Sequence, residues 1–266
     1  MCPHDNLPRS IAVDATDTAK PGPEPGPGLI EDLVVANHIL FDQGVVDAFG
    51  HISVRHDKRP DRFLLARNMA PGRVESNDII EFTLDGEAVN AAGRKVYLER
   101  FIHAEIYRKR PDVISVVHSH SHSVVPLSVV KGVRLQAIFH MAGFVGQGAP
   151  VFEIREAGGD TTDLLISNNH LGRALADHFV GHDIVLMRGH GSTVVGGSIR
   201  QAVYRAIYAE LNARYQLQAM QLGGEVTFLS EGESLACVQN IEAQVQRPWD
   251  LWVEQARAKR NTKKAT

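Results

Sequence analysis

One run of nine residues constrains this chain more than any other. Residues 112–120, DVISVVHSH, are dominated by β-branched side chains and read as a buried strand. The run ends on His118-Ser119-His120. Side chains alternate along a strand, so the two imidazoles leave the same face. Two imidazoles at that spacing can share one metal ion, or they can be two polar residues at a strand end, satisfied by water or backbone. His122 has the same parity but falls where the strand should be ending. These belong to a total of 13 histidines, several of them between His103 and His190.

Strand-like and helical stretches alternate around this run. Residues 1–28 end in PGPEPGPG and are expected to form a disordered or extended tail. From Leu29 the pattern is helical, with Leu33, Ala36 and Leu40 at three- and four-residue steps and Gly44 placed to end the helix. HISVR (51–55) and RFLLA (62–66) are short strands. A helix is predicted over Val96–Arg110, stopping before Pro111. A further helix covers Leu171–Phe179, and DIVLM (183–187) and STVVG (192–196) are strands around an RGHG turn. Ser198 caps a long helix, with Gln201 placed for a capping box and Gly223-Gly224 closing it. There is no glycine-rich nucleotide fingerprint and no internal repeat. Residues 253–266 read as a solvated basic end.

Composition bounds the function. Apolar residues are 44% and charged residues 22%, which excludes a disordered or collagen-like chain. A balance of 28 Lys+Arg against 31 Asp+Glu gives no basic surplus for nucleic acid or an anionic membrane. No apolar run approaches a membrane span, and the first residues carry no apolar signal region. Two cysteines, Cys2 and Cys237, are too few for a disulfide framework, so the expected location is a reducing cytoplasm.

Two further pieces carry chemistry. In Arg188-Gly189-His190-Gly191 a histidine follows an apolar strand and is flanked by glycines, which allow close approach of backbone or ligand. In Leu98-Glu99-Arg100-Phe101-Ile102-His103, Glu99 and His103 are i and i+4 on the predicted helix and face the same way, either into a cleft or as a surface pair. Taken in order, E-x-x-x-H, H-x-H and a late strand–H-G, with FGHISVR (49–55), YLERFIHAEIY (97–107), VVHSHS (116–121) and LMRGHGSTVVG (186–196), the chain resembles the class II aldolase/adducin family from about Leu29 to about Gly224. The resemblance implies a three-layer α/β/α fold around a mainly antiparallel sheet, a catalytic domain over 29–240 and a C-terminal extension over 241–266. It also implies a divalent metal held by His118, His120 and His190, with Glu99 as general base or further ligand, and a homotetramer with sites near subunit interfaces. Zinc is the first expectation for a three-histidine site, with manganese, cobalt and iron open. Adducin-like heads lack the metal histidines, and all three stand here.

The chain departs from the sugar-phosphate aldolases of that family. Gly50-His51 stands where they carry Gly-Asn, and Tyr97-Leu98 replaces a small hydroxyl pair that would donate to a phosphate dianion. Bulky Tyr97 and Leu98, with Met69, suggest a flatter, more apolar pocket. GHIS, APGRV, YLERFIH and FHMAGF resemble the branch that decarboxylates hydroxylated aromatic or muconate-type carboxylates, such as 3,4-dihydroxyphthalate or 2-hydroxy-3-carboxymuconate semialdehyde. The alternative is an aldolase or epimerase acting on a non-phosphorylated hydroxy-carbonyl compound. Losing CO₂ leaves electrons on carbon, which a metal beside the neighbouring oxygen can accept as a Lewis acid. His51, His103 and Glu99 are the candidate proton donors. Arg67 is either a clamp for a second carboxylate or a solvated arginine. His140, beside Met141, is either a pocket residue or a structural histidine. Trp249 and Trp252, in a late RPWDLW segment, either reach a substrate site, a neighbouring subunit's above all, or patch their own core.

Overall fold

The computed structural model describes residues 22–265. The expected tail at 1–21 lies outside the described residues. Residues 22–26 are extended, and the first helix, α1 (Pro27–Asp42), starts earlier than expected, because Pro27 sits in its first turn, where proline is already shaped for a helix. Leu33, Ala36 and Leu40 are buried as their spacing requires, and Gly44 ends the helix at φ +70°.

A seven-stranded sheet follows: β1 (His51–Arg55), β2 (Arg62–Ala66), β3 (Ile79–Thr83), β4 (Ser115–Ser119), β5 (Val151–Phe152), β6 (Ile184–Met187) and β7 (Gly191–Gly196). Its order is β3-β2-β1-β4-β7-β6-β5, antiparallel throughout except for the β5–β6 edge. The strand that carries His118 is therefore central, between β1 and β7. The other helices are α2 (Arg100–Lys109), α3 (Val124–Val129), α4 (Arg155–Gly158), α5 (Asn169–Ala176), α6 (Ile199–Gln221), α7 (Glu231–Ile241) and α8 (Gln246–Ala265). α2 and α5 pack together over the face that presents His51 and Ser53, while α1 and α6 pack together over the opposite face. This is the expected three-layer α/β/α arrangement.

Three local expectations are corrected. The helix predicted from Val96 starts only at Arg100, because Tyr97 is tied back by its hydroxyl to the Met69 carbonyl and Glu99 occupies the cap position at φ −86°, ψ 18°. Ser198 caps α6 by accepting from the Gln201 amide, but the Gln201 side chain accepts from Gly197 N–H, so the reciprocal capping box is not closed. Of the basic end, residues 253–265 are not a loose tail. They belong to α8, whose Trp249, Trp252 and Ala256 recur at helical spacing and are buried in the core. On its outer face Lys259 pairs with Asp42 at 3.2 Å and Arg260 with Glu75 at 2.9 Å. No helix among the described residues is long and apolar enough to cross a membrane.

Candidate metal centre

The ligand cluster grows out of the central strands. β4 delivers His118 on one face, and the chain leaves the strand at His120, keeping the alternation that puts both rings together. His190 comes from the turn between β6 and β7. Both glycines around it are needed. Gly189 adopts φ +66°, which favours glycine, and a Cβ on Gly191 would lie 2.1 Å from the Ser119 carbonyl oxygen. β7 can therefore approach β4 closely enough to bring His190 over the H-x-H pair.

Three Nε2 atoms converge. His118 to His120 is 3.1 Å and His190 to His120 is 3.0 Å. Four ligand atoms, one each from Glu99, His118, His120 and His190, lie within 4.8 Å of one another. Tetrahedral zinc with Zn–N bonds of 2.0–2.1 Å would hold its nitrogens about 3.3 Å apart, so the spacing fits a cation with little movement. The tautomer fits as well. His190 Nδ1 lies 3.0 Å from the Leu164 carbonyl, which can only accept, so the proton is on Nδ1 and the Nε2 lone pair faces the cluster. Three nitrogen lone pairs aimed at one point repel unless a cation sits between them.

Glu99 completes the set. Its Oε1 accepts from the Ile166 amide at 3.0 Å, which leaves Oε2 at 3.6 Å from His118 Nε2 and 3.5 Å from His190 Nε2. Burial opposes a charge here, but the close approach of the His190 and His118 rings outweighs it and holds the carboxyl below the usual range. Burial also lowers His120, and holds His118 well below an ordinary imidazole, so the nitrogens are ready to coordinate rather than to carry protons. One loop thus serves two members of the cluster, with Leu164 orienting His190 and Ile166 holding Glu99. Leu164 has φ +71°, rare for a residue with a side chain. No sequence signal pointed to either residue, since both act through backbone atoms.

The remaining sequence candidates fall into three places. His51 pairs in register with His118, and its ring lies 5.1 Å from that of His118 and 4.6 Å from that of Tyr97. Tyr97 is buried, and burial pushes its hydroxyl up to about 12, so it is a wall that keeps its proton. Leu98 is exposed beside it, and Phe49, 67% exposed, stands 6.3 Å from the His120 ring. His103, four residues on from Glu99 at the cap of α2, makes no surface pair with it. It is fully buried behind His51, with Nε2 on His51 Nδ1 and Nδ1 on Ser53 Oγ, both at 2.6 Å. A direct role as proton donor to substrate is thereby replaced by action through His51. Arg67 is part-exposed and its Nε donates to Asp78 at 2.6 Å, leaving the rest of its fork available. His140 and Trp249 are elsewhere. His140 is exposed at a separate cavity of about 330 Å³ with Met141, Tyr204 and Arg247. Trp249 packs into its own chain's core under the Arg200 guanidinium, because α8 buries that stripe. His122 is exposed and outside the cluster.

Comparison with known proteins agrees with this fold. The family model for the class II aldolase and adducin N-terminal domain matches residues 31–217. Decarboxylase tropJ of Talaromyces stipitatus is 42% identical over 248 residues, covering 85% of this chain and 93% of that protein. A 3,4-dihydroxyphthalate decarboxylase of Arthrobacter keyseri is 30% identical, covering 77% and 84%. Among solved structures, L-fuculose 1-phosphate aldolase from Glaciozyma antarctica shares the fold with a TM-score of 0.71 at 20% identity, over 92% of this chain and 96% of that one. On the extent of the family match and the length shared with these relatives, the chain belongs to the class II aldolase and adducin family.

Proposed function

We propose that the chain is a carbon–carbon lyase: a metal-dependent, non-oxidative decarboxylase of a hydroxylated aromatic carboxylate, or a related muconate-type acid, of the kind met in aromatic degradation. The observation that carries this reading is the wall beside the ligand cluster. Tyr97 packs on His51, Phe49 stands against His120, and Leu98, next to Tyr97 in sequence, is exposed. A flat conjugated acid matches that apolar rim, whereas a phosphate dianion would find none of the small hydroxyl donors it needs. The decarboxylase names of two relatives support the same reaction class.

His118, His120 and His190, with Glu99, would hold the divalent ion, zinc in the first instance. Bound there, it supplies a Lewis acid for the charge left when CO₂ departs. The chain's own residues do the rest. Glu99, fixed through Oε1, keeps Oε2 directed into the cluster as ligand or base. Among the described residues, His51 is the imidazole whose ring packs on that of a cluster histidine without itself belonging to the cluster. Arg67, with Nε already committed to Asp78, has further N–H donors for a second carboxylate. The reading carries the homotetramer and a cytoplasmic setting with it as expectations, the first tested by sedimentation. Purified, zinc-loaded protein should release CO₂ from 3,4-dihydroxyphthalate or a close hydroxy-aromatic acid. Aldehyde release from hydroxy-carbonyl compounds, without CO₂ from any aromatic acid, would establish the aldolase alternative instead.

A further inference from the structure

Four buried polar groups run from the metal-site face into the layer between the sheet and α2. His51 Nδ1 is 2.6 Å from His103 Nε2, His103 Nδ1 is 2.6 Å from Ser53 Oγ, and Ser53 Oγ is 2.7 Å from the Tyr107 hydroxyl. All are buried, so none of these bonds is shared with bulk water. We propose that Tyr107, Ser53 and His103 form a one-way hydrogen-bond chain that fixes His51 as a hydrogen-bond donor, through Nε2–H, to the substrate carboxylate or oxyanion at the metal site. The inference deepens the decarboxylase reading and rests on it for the identity of the substrate group.

The direction follows from a count of donors. The Tyr107 hydroxyl has one proton and two acceptors in reach. The Ile114 carbonyl is 3.4 Å away, longer than an ordinary O–H···O bond, and it already accepts from the Arg55 amide at 2.8 Å. The Tyr107 proton therefore goes to Ser53 Oγ. Ser53 Oγ makes two contacts, and the Tyr107 hydroxyl is already the donor in one of them, so the serine proton goes to the other, His103 Nδ1. With Nδ1 accepting, neutral His103 carries its proton on Nε2 and gives it to His51 Nδ1. His51 is left with N–H at Nε2. That nitrogen has no hydrogen-bond partner among the described residues and is not a sealed, unpaired atom. The ring stands beside His118, so a group bound to the cluster meets a donor and not a lone pair.

The surroundings keep the chain rigid. The Tyr107 ring packs on Phe63 at 5.4 Å and under the Arg55 guanidinium at 4.8 Å, and Phe63 also stacks on His103 at 6.2 Å. Burial raises the Tyr107 hydroxyl above its ordinary value and lowers His103 to about 3, so the phenol keeps the proton that starts the chain and His103 stays neutral. A pair of neutral imidazoles without such an end group could run in either direction, and His51 would then present a donor or an acceptor by chance. His103, Ser53 and Tyr107 are positioning residues, and only His51 touches substrate.

The test uses full-length, zinc-loaded protein with ¹⁵N-labelled histidine, with the His51 signal identified by its loss in His51→Gln. The imidazole spectrum should show His51 and His103 protonated at Nε2. Tyr107→Phe keeps the ring and removes only the proton that sets direction. It should give mixed tautomers at His51 and lower kcat about tenfold, with KM for the aromatic acid changed less than about twofold. Ser115→Ala removes a neighbouring buried hydroxyl bond, Ser115 Oγ to the Ser53 carbonyl, that lies outside the chain, and should leave the tautomer as it is. A wild-type His51 protonated at Nδ1, or a tautomer unchanged in Tyr107→Phe, overturns the proposal. If the tautomers behave as stated but the wild type releases no CO₂ from any hydroxy-aromatic acid, the chain of donors stands and the decarboxylase reading falls.

Discussion

His120 is the ligand whose loss should disturb the fold least, because it is only part-buried whereas His118 is sealed between strands. His120→Ala should remove most of the bound metal, read by elemental mass spectrometry, together with nearly all turnover. A variant that keeps full metal content would remove His120 from the ligand set. Glu99→Gln keeps the shape and the acceptor for Ile166 N–H while losing the charge. Turnover should fall at least about 10²-fold if the carboxylate moves a proton, and wild-type rates would show that the charge is not needed. Arg67 is held by Asp78 with the rest of its fork free, a suitable posture for an anion. Arg67→Ala should raise KM for a dicarboxylate much more than for a monocarboxylate. Equal effects on the two would place Arg67 outside the pocket.

At the scale of elements, α8 changes what its segment is for. Trp249 and Trp252 fill the region where α8 meets α1 and α6, so the segment is a structural clasp within its own chain. Trp249→Ala should cost about 3–5 kcal/mol, as large aromatic truncations in a core do. A denaturant titration measures it, and a loss under about 1 kcal/mol would mean that α8 is loosely docked. The exposed pairs on the same helix are different. Removing the Lys259–Asp42 pair should change stability by less than about 1 kcal/mol, because water screens it. The loop that carries Leu164 and Ile166 is the other element that matters, since it orients one ligand and holds another from a single stretch of backbone.

For the whole molecule, the buried histidines tie stability to pH. Burial keeps His51 and His118 far below 6.5 and His103 at about 3 in the folded state, while the unfolded chain takes up protons on all three near 6.5. Between those limits the unfolded state binds more protons, so stability rises with pH and falls as the solution is acidified below about 6.5. Denaturant midpoints measured from pH 7.5 down to 4.5 should decline steadily, and a flat profile would mean that these rings take up protons alike in the folded and unfolded chain. Protons also compete with the metal for the same nitrogens. Chelation at neutral pH should therefore lower the thermal midpoint, by the amount of binding energy that the folded state alone enjoys.

The sequence by itself determined the order of the strands and brought out the residues of the candidate metal cluster. Alternation in VVHSH put His118 and His120 on one face, and the glycines around His190 marked a close approach, because local backbone geometry decides both. The burial of Leu33, Ala36 and Leu40 was legible for the same reason. Everything that depends on where two distant segments meet was decided only in the tertiary structure. Glu99 faces the histidines because α2 starts one residue after it, and that start depends on the tie between Tyr97 and Met69. His103 lies behind His51 because α2 packs over β1, which no spacing along either segment encodes. The Leu164 carbonyl and Ile166 amide are backbone groups, identical in every residue type, so composition is blind to them. Trp249 reads the same in sequence whether it covers a neighbour's site or its own core, and only the docking of α8 on α1 and α6 separates the two.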